Sequence, residues 1–278
     1  MPQYLTGQRI ALWFFDQGFR NRVAFDIGAQ ALGAQISFIP GSLGRRENVA
    51  DMAAYLANWF SAVVVRAEQH NDLLAFAKAS MIPVINARTN HNHPCEVLGD
   101  LHFISRVRGS LDGLSVAFVG EASNLCYSWL EAAHSLPISV TQICPAGYEA
   151  DETELIRLTN KAVGELKVSH DFGLVRTADV IYTDCWPQRQ TDEDREKVKS
   201  LFSSYCITGR LLDACQPSTL FLPCPPVTRG DEADDDALKH SSCRVYEAKK
   251  FLLHPQNAIM RYVLGGFAKN NWEAVTPN

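Results

Sequence analysis

The segment IALWFFDQGFRNRVAFDIGAQALGAQISFIP, residues 10–40, decides the fold class. It contains two apolar runs typical of buried strands, 10–15 and 35–40. Between them lies a stretch of helical periodicity, 22–32, which closes at Gly33. Apolar strands that alternate with helices are typical of a parallel sheet covered on both faces. The segment therefore predicts an α/β fold.

The same alternation continues along the chain. Further strands are predicted at 62–65, 83–86, 114–119, 138–144, 180–183 and 220–222. Further helices are predicted at 48–60 with Asn48 as N-cap, 71–80, 94–108, 126–135, 152–166, 192–202 and 255–267. The pattern restarts near 109–113. We therefore expect two parallel-sheet α/β domains, residues 1–108 and residues 109–252.

Composition excludes several classes of protein. Of the 278 residues 46% are hydrophobic and 10% aromatic, which is enough for a large core and argues against a disordered chain or a coiled coil. Twenty-six basic against 31 acidic residues give a net charge of −5, which argues against a nucleic-acid partner. No apolar run approaches the roughly 18–20 residues that span a bilayer, so no membrane partner is expected.

The cysteines and the first residues indicate a compartment. The eight cysteines are scattered without a C-x-x-C pair, and the opening residues lack the plan of a signal peptide. Reduced thiols in a cytoplasmic protein are the expectation.

Ligands of parallel sheets bind beyond the carboxyl ends of the strands, which directs attention to the loops there. In 90–95, His91, His93 and Cys95 alternate, as metal ligands could. However, Pro94 leads into a helix that turns Cys95 away, and no fourth ligand follows at a typical spacing. We expect no metal, and a neutral imidazole of His93 that hydrogen-bonds a substrate carbonyl.

Two other loops have features of phosphate-binding segments. GEASN, 120–124, follows a strand but has one of the three glycines of a dinucleotide fingerprint, so no cofactor is expected. FFDQGFRNR, 14–22, leads into a helix start beside Arg20 and Arg22, which is typical of an anion site. Surface arginines at a helix start are the alternative interpretation.

Motifs along nearly the whole chain point to one family. In chain order they are RNRVAF (20–25), LGRRENVAD (43–51), VR (65–66) with His70, PVIN (83–86), HPC (93–95) through to Asp100, FVG (118–120) with Asn124 and Ser128, GYE (147–149), YTDCW (182–186) and CPPVTRGDE (224–232). From about Leu5 to about Leu264 the chain resembles the aspartate/ornithine carbamoyltransferase family, and more closely its ornithine branch.

The resemblance implies an architecture and a reaction. Carbamoyl phosphate would be held mainly by the first domain and the amino-acid substrate mainly by the second. Residues 253–278 would form a helix that returns to the first domain, and the assembly would be a homotrimer. The amine would attack the carbamoyl carbon without a metal or a covalent intermediate, so catalysis would come from positioning and oxyanion stabilisation.

The resemblance also implies residue roles. Arg66 and His93 match the residues that hold the carbamoyl oxygen. Asp184 and Cys224 match those that face the side-chain amine. Asn124 matches the asparagine that takes the α-carboxylate. The same resemblance places Arg229, within CPPVTRGDE, among the substrate-binding residues.

The phosphate loop departs from the family's Ser-Thr-Arg-Thr-Arg. Its first four positions are Gly18, Phe19, Arg20 and Asn21 in this chain. The arginine remains, whereas the hydroxyls are lost and an apolar ring stands in their place. Losing two charge-assisted hydrogen bonds would weaken phosphate binding by roughly 10²–10⁴.

Other positions also depart from the family. Glu96 stands where the family's His-Pro-Cys-Gln motif has glutamine, and an ionised carboxylate suits an amide or a cation and repels phosphate. Residues 188–190 read Gln-Arg-Gln instead of Ser-Met-Gly. An arginine expected before the final helix is missing, and Lys249 or Lys250 would have to replace it.

Three functions remain open at this point. The first is a divergent transferase that moves a carbamoyl group, or a related amide or amidino group, to an amino-acid-like amine from carbamoyl phosphate or another donor. The second is a hydrolase or lyase of a ureido or guanidino compound. The third is a non-catalytic paralogue.

Overall fold

A computed structural model describes residues 3–187 and 191–265. The chain divides into two compact units. The first contains the residues up to Gly99 and those from Phe251 onward, and the second runs from Asp100 to Lys250. Each unit contains one parallel sheet with helices, so the predicted fold class is confirmed. The chain passes from the first unit to the second between Gly99 and Asp100, inside a helix. The domain boundary predicted at residue 108 stays a prediction.

The first unit contains β1 (Arg9–Phe14), α1 (Phe19–Ala31), β2 (Gln35–Pro40), α2 (Val49–Ala57), β3 (Ala62–Arg66), α3 (His70–Ala79), β4 (Val84–Arg88) and the start of α4 (Pro94–Arg108). The second contains β5 (Ser115–Val119), α5 (Asn124–Ser135), β6 (Ser139–Ile143), α6 (Glu152–Thr159), β7 (Glu165–Ser169), β8 (Val180–Thr183), α7 (Asp192–Phe202), α8 (Gly209–Asp213), β9 (Leu220–Pro223), α9 (Asp235–Lys239) and α10 (Val245–Lys250). α11 (Leu253–Val263) follows and belongs to the first unit.

The first sheet has the strand order β2-β1-β3-β4, with every pair parallel. Both of its faces are covered, because β1 and β3 are continuous apolar runs whose alternate residues enter two separate cores. Phe25 of α1 and Met260 of α11 fill one core, and Phe76 of α3 fills the other.

The final helix returns to the first unit, as predicted, and packs on α1. Gly28 of α1 permits the close approach, because a Cβ there would lie 2.0 Å from Oδ1 of Asn257. This helix was predicted at 255–267 and is observed at Leu253–Val263, so its predicted end is too late. Residue 267 itself lies outside the described residues.

The second sheet has the strand order β7-β6-β5-β8-β9, again all parallel. Among the largest buried side chains of this unit are Phe118 of β5, Tyr182 of β8 and Trp129 of α5, and the ring of Tyr182 contacts the other two. In the part of the chain that the structure describes, no helix has both the length and the apolar character needed to cross a membrane.

One predicted element is wrong. The helix predicted at 152–166 ends at Thr159, and the edge strand β7 begins at Glu165. Gly164 lies between them, where a Cβ would come 2.0 Å from the carbonyl oxygen of Ile138. The strand β7 was not predicted, because it is a half-exposed edge strand with no continuous apolar run.

Candidate active site

The carboxyl-end edge of the first sheet brings Asp16 and Arg66 together. Arg66 ends β3 opposite Phe14 of β1, and Asp16 follows β1 by two residues. Nε and Nη2 of Arg66 donate to the two carboxylate oxygens of Asp16 at 2.6 and 3.0 Å. Because a forked pair fixes the plane of a guanidinium, the direction of the remaining nitrogen, Nη1, is also fixed.

His93 lies beside that remaining nitrogen. Nη1 of Arg66 is 3.5 Å from Nε2 of His93, which directly precedes α4. Both side chains are mostly buried. The sequence predicts that these two residues act on one carbonyl, and the structure places them side by side within one unit.

Glu96 forms the third part of this cluster. Its side chain is buried in the first turn of α4, and Oε2 lies 3.8 Å from Nε2 of His93. Nδ2 of Asn21 donates to the same oxygen at 2.8 Å. Nε2 of Gln256, on α11, in turn donates to Oδ1 of Asn21 at 2.7 Å. A chain of hydrogen bonds thus holds Glu96 from the last helix of the unit.

The start of α1 carries the four predicted phosphate-loop residues in different environments. Gly18 has φ +31°, and a Cβ on it would lie 2.8 Å from Cδ and Nε of Arg66. A hydroxyl side chain at this position would therefore have to displace Arg66. Asn21 is buried, whereas Phe19 is 59% exposed and the guanidinium of Arg20 lies 5.0 Å from the centroid of its ring. The ring of Phe19 thus faces mainly solvent.

In the second unit, Asp184 and Cys224 lie at the ends of neighbouring strands. Thr183 of β8 pairs with Pro223 of β9, so the two residues that follow are adjacent at one edge of the sheet. The backbone N–H of Cys224 donates to the carbonyl of Thr183 at 2.8 Å. The placement of both residues at an amine stays a prediction.

Asn124 and Arg229 belong to the same unit. Asn124 is the first residue of α5, the helix that follows β5, and β5 neighbours β8 in the sheet. Arg229 is more than half exposed and forms an ion pair with Asp235. The structure thus gives Arg229 a surface partner. The substrate roles predicted for Asn124 and Arg229 stay predictions.

Glu232, which the sequence reasoning missed, is a buried carboxyl of the second unit. Burial raises its pKa to about 7, and the charges of Asp231 and Asp184 contribute in the same direction. Oε1 accepts a hydrogen bond from the backbone of Thr228, while Oε2 has no hydrogen-bond partner among the described residues. The only signal in the sequence was its position at the end of CPPVTRGDE.

The positive charge of Lys249 is paired with a carboxylate and is not available in place of the missing arginine. Its Nζ lies 2.9 Å from both carboxylate oxygens of Asp100, which is fully buried and also accepts from the hydroxyl of Tyr182 at 2.9 Å. Lys250 is exposed. The predicted loop at 188–190 lies outside the described residues.

Residues 90–92 form a polar turn near the surface, whereas His93 is buried and Pro94 and Cys95 already belong to α4. The ring of His91 lies 4.8 Å from that of His70, between centroids. The Cys95 thiol is buried, and burial, with a smaller contribution from Glu96, raises its pKa to about 12. Within residues 3–187 and 191–265, no group of three or more histidine, cysteine, aspartate or glutamate side chains could hold a metal ion.

Each unit thus carries a distinct chemical capability. The cluster of Arg66, His93 and Glu96 combines a hydrogen-bond donor of fixed direction with an imidazole and a carboxylate. Such groups polarise a carbonyl and move protons. The strand ends at Asp184 and Cys224 suit a cationic or amino group.

Comparisons with known proteins cover nearly the whole chain. Residues 1–106 match the family model for the aspartate/ornithine carbamoyltransferase carbamoyl-P binding domain, and residues 112–263 match that for the Asp/Orn binding domain. An ornithine carbamoyltransferase of Geobacter metallireducens is 33% identical over 264 residues, which are 94% of this chain and 87% of the relative. One of Methanothermobacter thermautotrophicus is 33% identical over 268 residues, 94% of this chain and 89% of the relative.

A solved structure extends the similarity to the backbone. Ornithine carbamoyltransferase from Pyrococcus furiosus superimposes with a TM-score of 0.91 at 30% identity, covering 96% of this chain and 87% of that one.

Proposed function

Because the chain belongs to the aspartate/ornithine carbamoyltransferase family, we propose that it transfers a carbamoyl or related amide or amidino group to an amino-acid-like amine. The observation that carries the proposal is the 3.5 Å approach of Arg66 and His93 at one sheet edge. The guanidinium and the imidazole polarise the carbonyl of the donor. Asp184 and Cys224 position the amine, and Asn124 holds its carboxylate.

The donor is not restricted to carbamoyl phosphate. In the first unit the fork of Arg66 is committed to Asp16, and a second carboxylate, Glu96, is buried beside His93. The buried charge of Glu96 disfavours a phosphate dianion, because like charges in a poorly solvated site repel strongly. Carbamoyl phosphate is accordingly a weak donor, and another carbamoyl compound serves better.

The proposal includes a cellular setting. The active form is a cytoplasmic homotrimer that binds small molecules, which the family resemblance supports. Light scattering of the purified protein tests the trimer, and a mass of one chain would contradict it.

The test is an assay for product with ornithine as the amine, using carbamoyl phosphate, citrulline and an activated carbamate as separate donors. We expect Arg66→Lys to lower the rate with any accepted donor by about 10²-fold or more, because lysine cannot hold Asp16 by a fork and also reach the carbonyl. Arg88→Lys is the control, since Arg88 is more exposed and lies 3.9 Å from Asp16.

Other outcomes distinguish the remaining hypotheses. Release of ornithine from citrulline without an acceptor amine would indicate a hydrolase. Absence of every reaction would indicate a non-catalytic paralogue and would contradict the proposed function.

A further inference from the structure

Nε2 of His93 lies between a cation and a carboxylate. This one atom lies 3.5 Å from Nη1 of Arg66 and 3.8 Å from Oε2 of Glu96. An arginine nitrogen can only donate, so its contact uses a lone pair on Nε2. At 3.8 Å, Oε2 of Glu96 is beyond hydrogen-bond distance, but the negative charge of an ionised carboxylate there favours a proton on the imidazole. The two neighbours therefore favour opposite protonation states of the same atom.

The surrounding hydrogen bonds hold both neighbours in place. Asp16 fixes the guanidinium through two hydrogen bonds. Asn21, itself held by Gln256, fixes Oε2 of Glu96. A carboxylate within ion-pair distance favours the protonated form of an imidazole. One positive and one negative group are thus held in fixed positions beside His93.

The chemistry of the leaving group explains what such an arrangement does. Phosphate departs from a carbonyl carbon as an anion and requires cationic or hydroxyl ligands. An amine is a poor leaving group unless its nitrogen is protonated as the bond breaks, which requires a general acid. Beside the imidazole of His93 lies the buried carboxylate of Glu96, which favours a protonated imidazole and disfavours an anionic leaving group.

We propose that Glu96 positions His93 to protonate the nitrogen of an amine leaving group. The carbamoyl donor of this enzyme is then a ureido compound. This inference rests on the proposed function. The amine R–NH₂ adds to the carbonyl carbon of H₂N–CO–NH–R′ and forms the new C–N bond. The old C–N bond then breaks, and R–NH–CO–NH₂ and R′–NH₂ are released. The attacking nitrogen loses one proton and the leaving nitrogen receives one from His93, so the protons balance. No oxidant, reductant or phosphate takes part.

Glu96 acts through His93 and is a positioning residue. Glu96→Gln is the decisive variant, because an amide oxygen still accepts from Asn21 while the negative charge is removed. Glu68→Gln is the matched control, since Glu68 is an exposed carboxylate two residues beyond Arg66 whose hydrogen bond to Ser42 lies outside the cluster.

The experiment uses citrulline as donor and deuterated ornithine as acceptor in phosphate-free buffer, with mass spectrometry to detect deuterated citrulline. A parallel assay replaces citrulline with 4-nitrophenyl carbamate, whose leaving group departs without protonation. Glu96→Gln should lower the ratio of the citrulline rate to the carbamate rate by about 10²-fold, the usual contribution of general acid catalysis. Glu68→Gln should leave the ratio at the wild-type value.

The outcomes separate this inference from the proposed function. Transfer from carbamoyl phosphate or the carbamate with none from citrulline overturns the inference and leaves the proposed function intact. An equal fall of both rates in Glu96→Gln also overturns it, because that is the effect of a structural role. The comparison of donors with the wild-type protein needs no variant. The inference can therefore be tested even if Glu96→Gln fails to fold. Absence of transfer from every donor overturns both.

Discussion

Single residues explain how the first unit differs from the motif that it resembles. Asn21 stands at a hydroxyl position of that motif, and its amide donates to Glu96 and accepts from Gln256 at the same time. Buried polar groups of this kind are stable only when they are hydrogen-bonded. Two residues that depart from the family's motifs, Asn21 and Glu96, are thus hydrogen-bonded to each other.

Gly18 offers a test of this connection. We expect Gly18→Ser to lower the free energy of unfolding by about 1–3 kcal/mol, because a side chain at φ +31° is strained and its Cβ would meet Arg66. Transfer activity should fall as well, because Arg66 has to move. Urea unfolding and the transfer assay measure the two effects.

Gly7→Ser is the control for that prediction. Gly7 has φ +81°, and a Cβ on it would have no neighbouring atom within 4 Å among the described residues, so its substitution adds backbone strain alone. If Gly18→Ser retained full activity at a similar loss of stability, Arg66 would not depend on the glycine.

Sequence patterns identified some site residues and necessarily missed others. Arg66 and His93 follow predicted strand ends and match motifs, so their proximity could be predicted. Asp16 and Gln256 have no motif of their own, and they enter the cluster through contacts with residues 50 and 235 positions away. Such contacts arise from the tertiary fold, which periodicity does not contain.

Secondary-structure elements were predictable where their apolar pattern was long or distinct. The bounds of β2 and α7 agree with the prediction, and Asn48 caps α2 by accepting from Ala50 at 2.8 Å. The elements α8 and α10 were not predicted, because helices of five or six residues are too short to show a period.

A buried ion pair connects three elements of the second unit. We expect Lys249→Met, in α10, to lower the free energy of unfolding by about 3–5 kcal/mol, because it leaves the carboxylate of Asp100 buried without its cation. Thermal and urea unfolding measure the loss. Lys250→Met, on the exposed neighbour, should change stability by less than about 0.5 kcal/mol.

The double variant Asp100→Leu with Lys249→Met sharpens the comparison. Removing both charges should recover much of the stability lost in Lys249→Met, since no uncompensated charge then remains. A double variant as unstable as the single one would show that the packing of α10, and not the charge of Asp100, causes the loss.

At the scale of the whole molecule, Glu232 makes stability depend on pH. Its pKa is raised to about 7 from an ordinary 4.5, so the folded protein binds this proton more tightly than the unfolded chain does. The resulting stabilisation is fully present below about pH 4.5 and is lost as pH rises through about 7. We therefore expect Glu232→Gln to raise the free energy of unfolding at pH 8 and to change it little at pH 4.

Unfolding curves between pH 4 and pH 8 check this expectation. The amide still accepts from the backbone of Thr228, so the variant removes the charge while retaining that hydrogen bond. Asp236→Asn, an exposed carboxylate nearby, is the control and should preserve the wild-type pH dependence. If the free energy of unfolding of Glu232→Gln fell between pH 4 and pH 8 as it does in the wild type, the pH dependence would belong to another group.

The return of α11 to the first unit has a consequence for how the protein is made. Met260 completes a core built from strands near the start of the chain, and Gln256 completes the hydrogen bonds to Asn21. A ribosome has to synthesise all of the second unit before it supplies these residues. The strands of the first unit are therefore translated first, but this unit cannot complete its core until α11 has been made. Until then its nascent strands need protection from premature association.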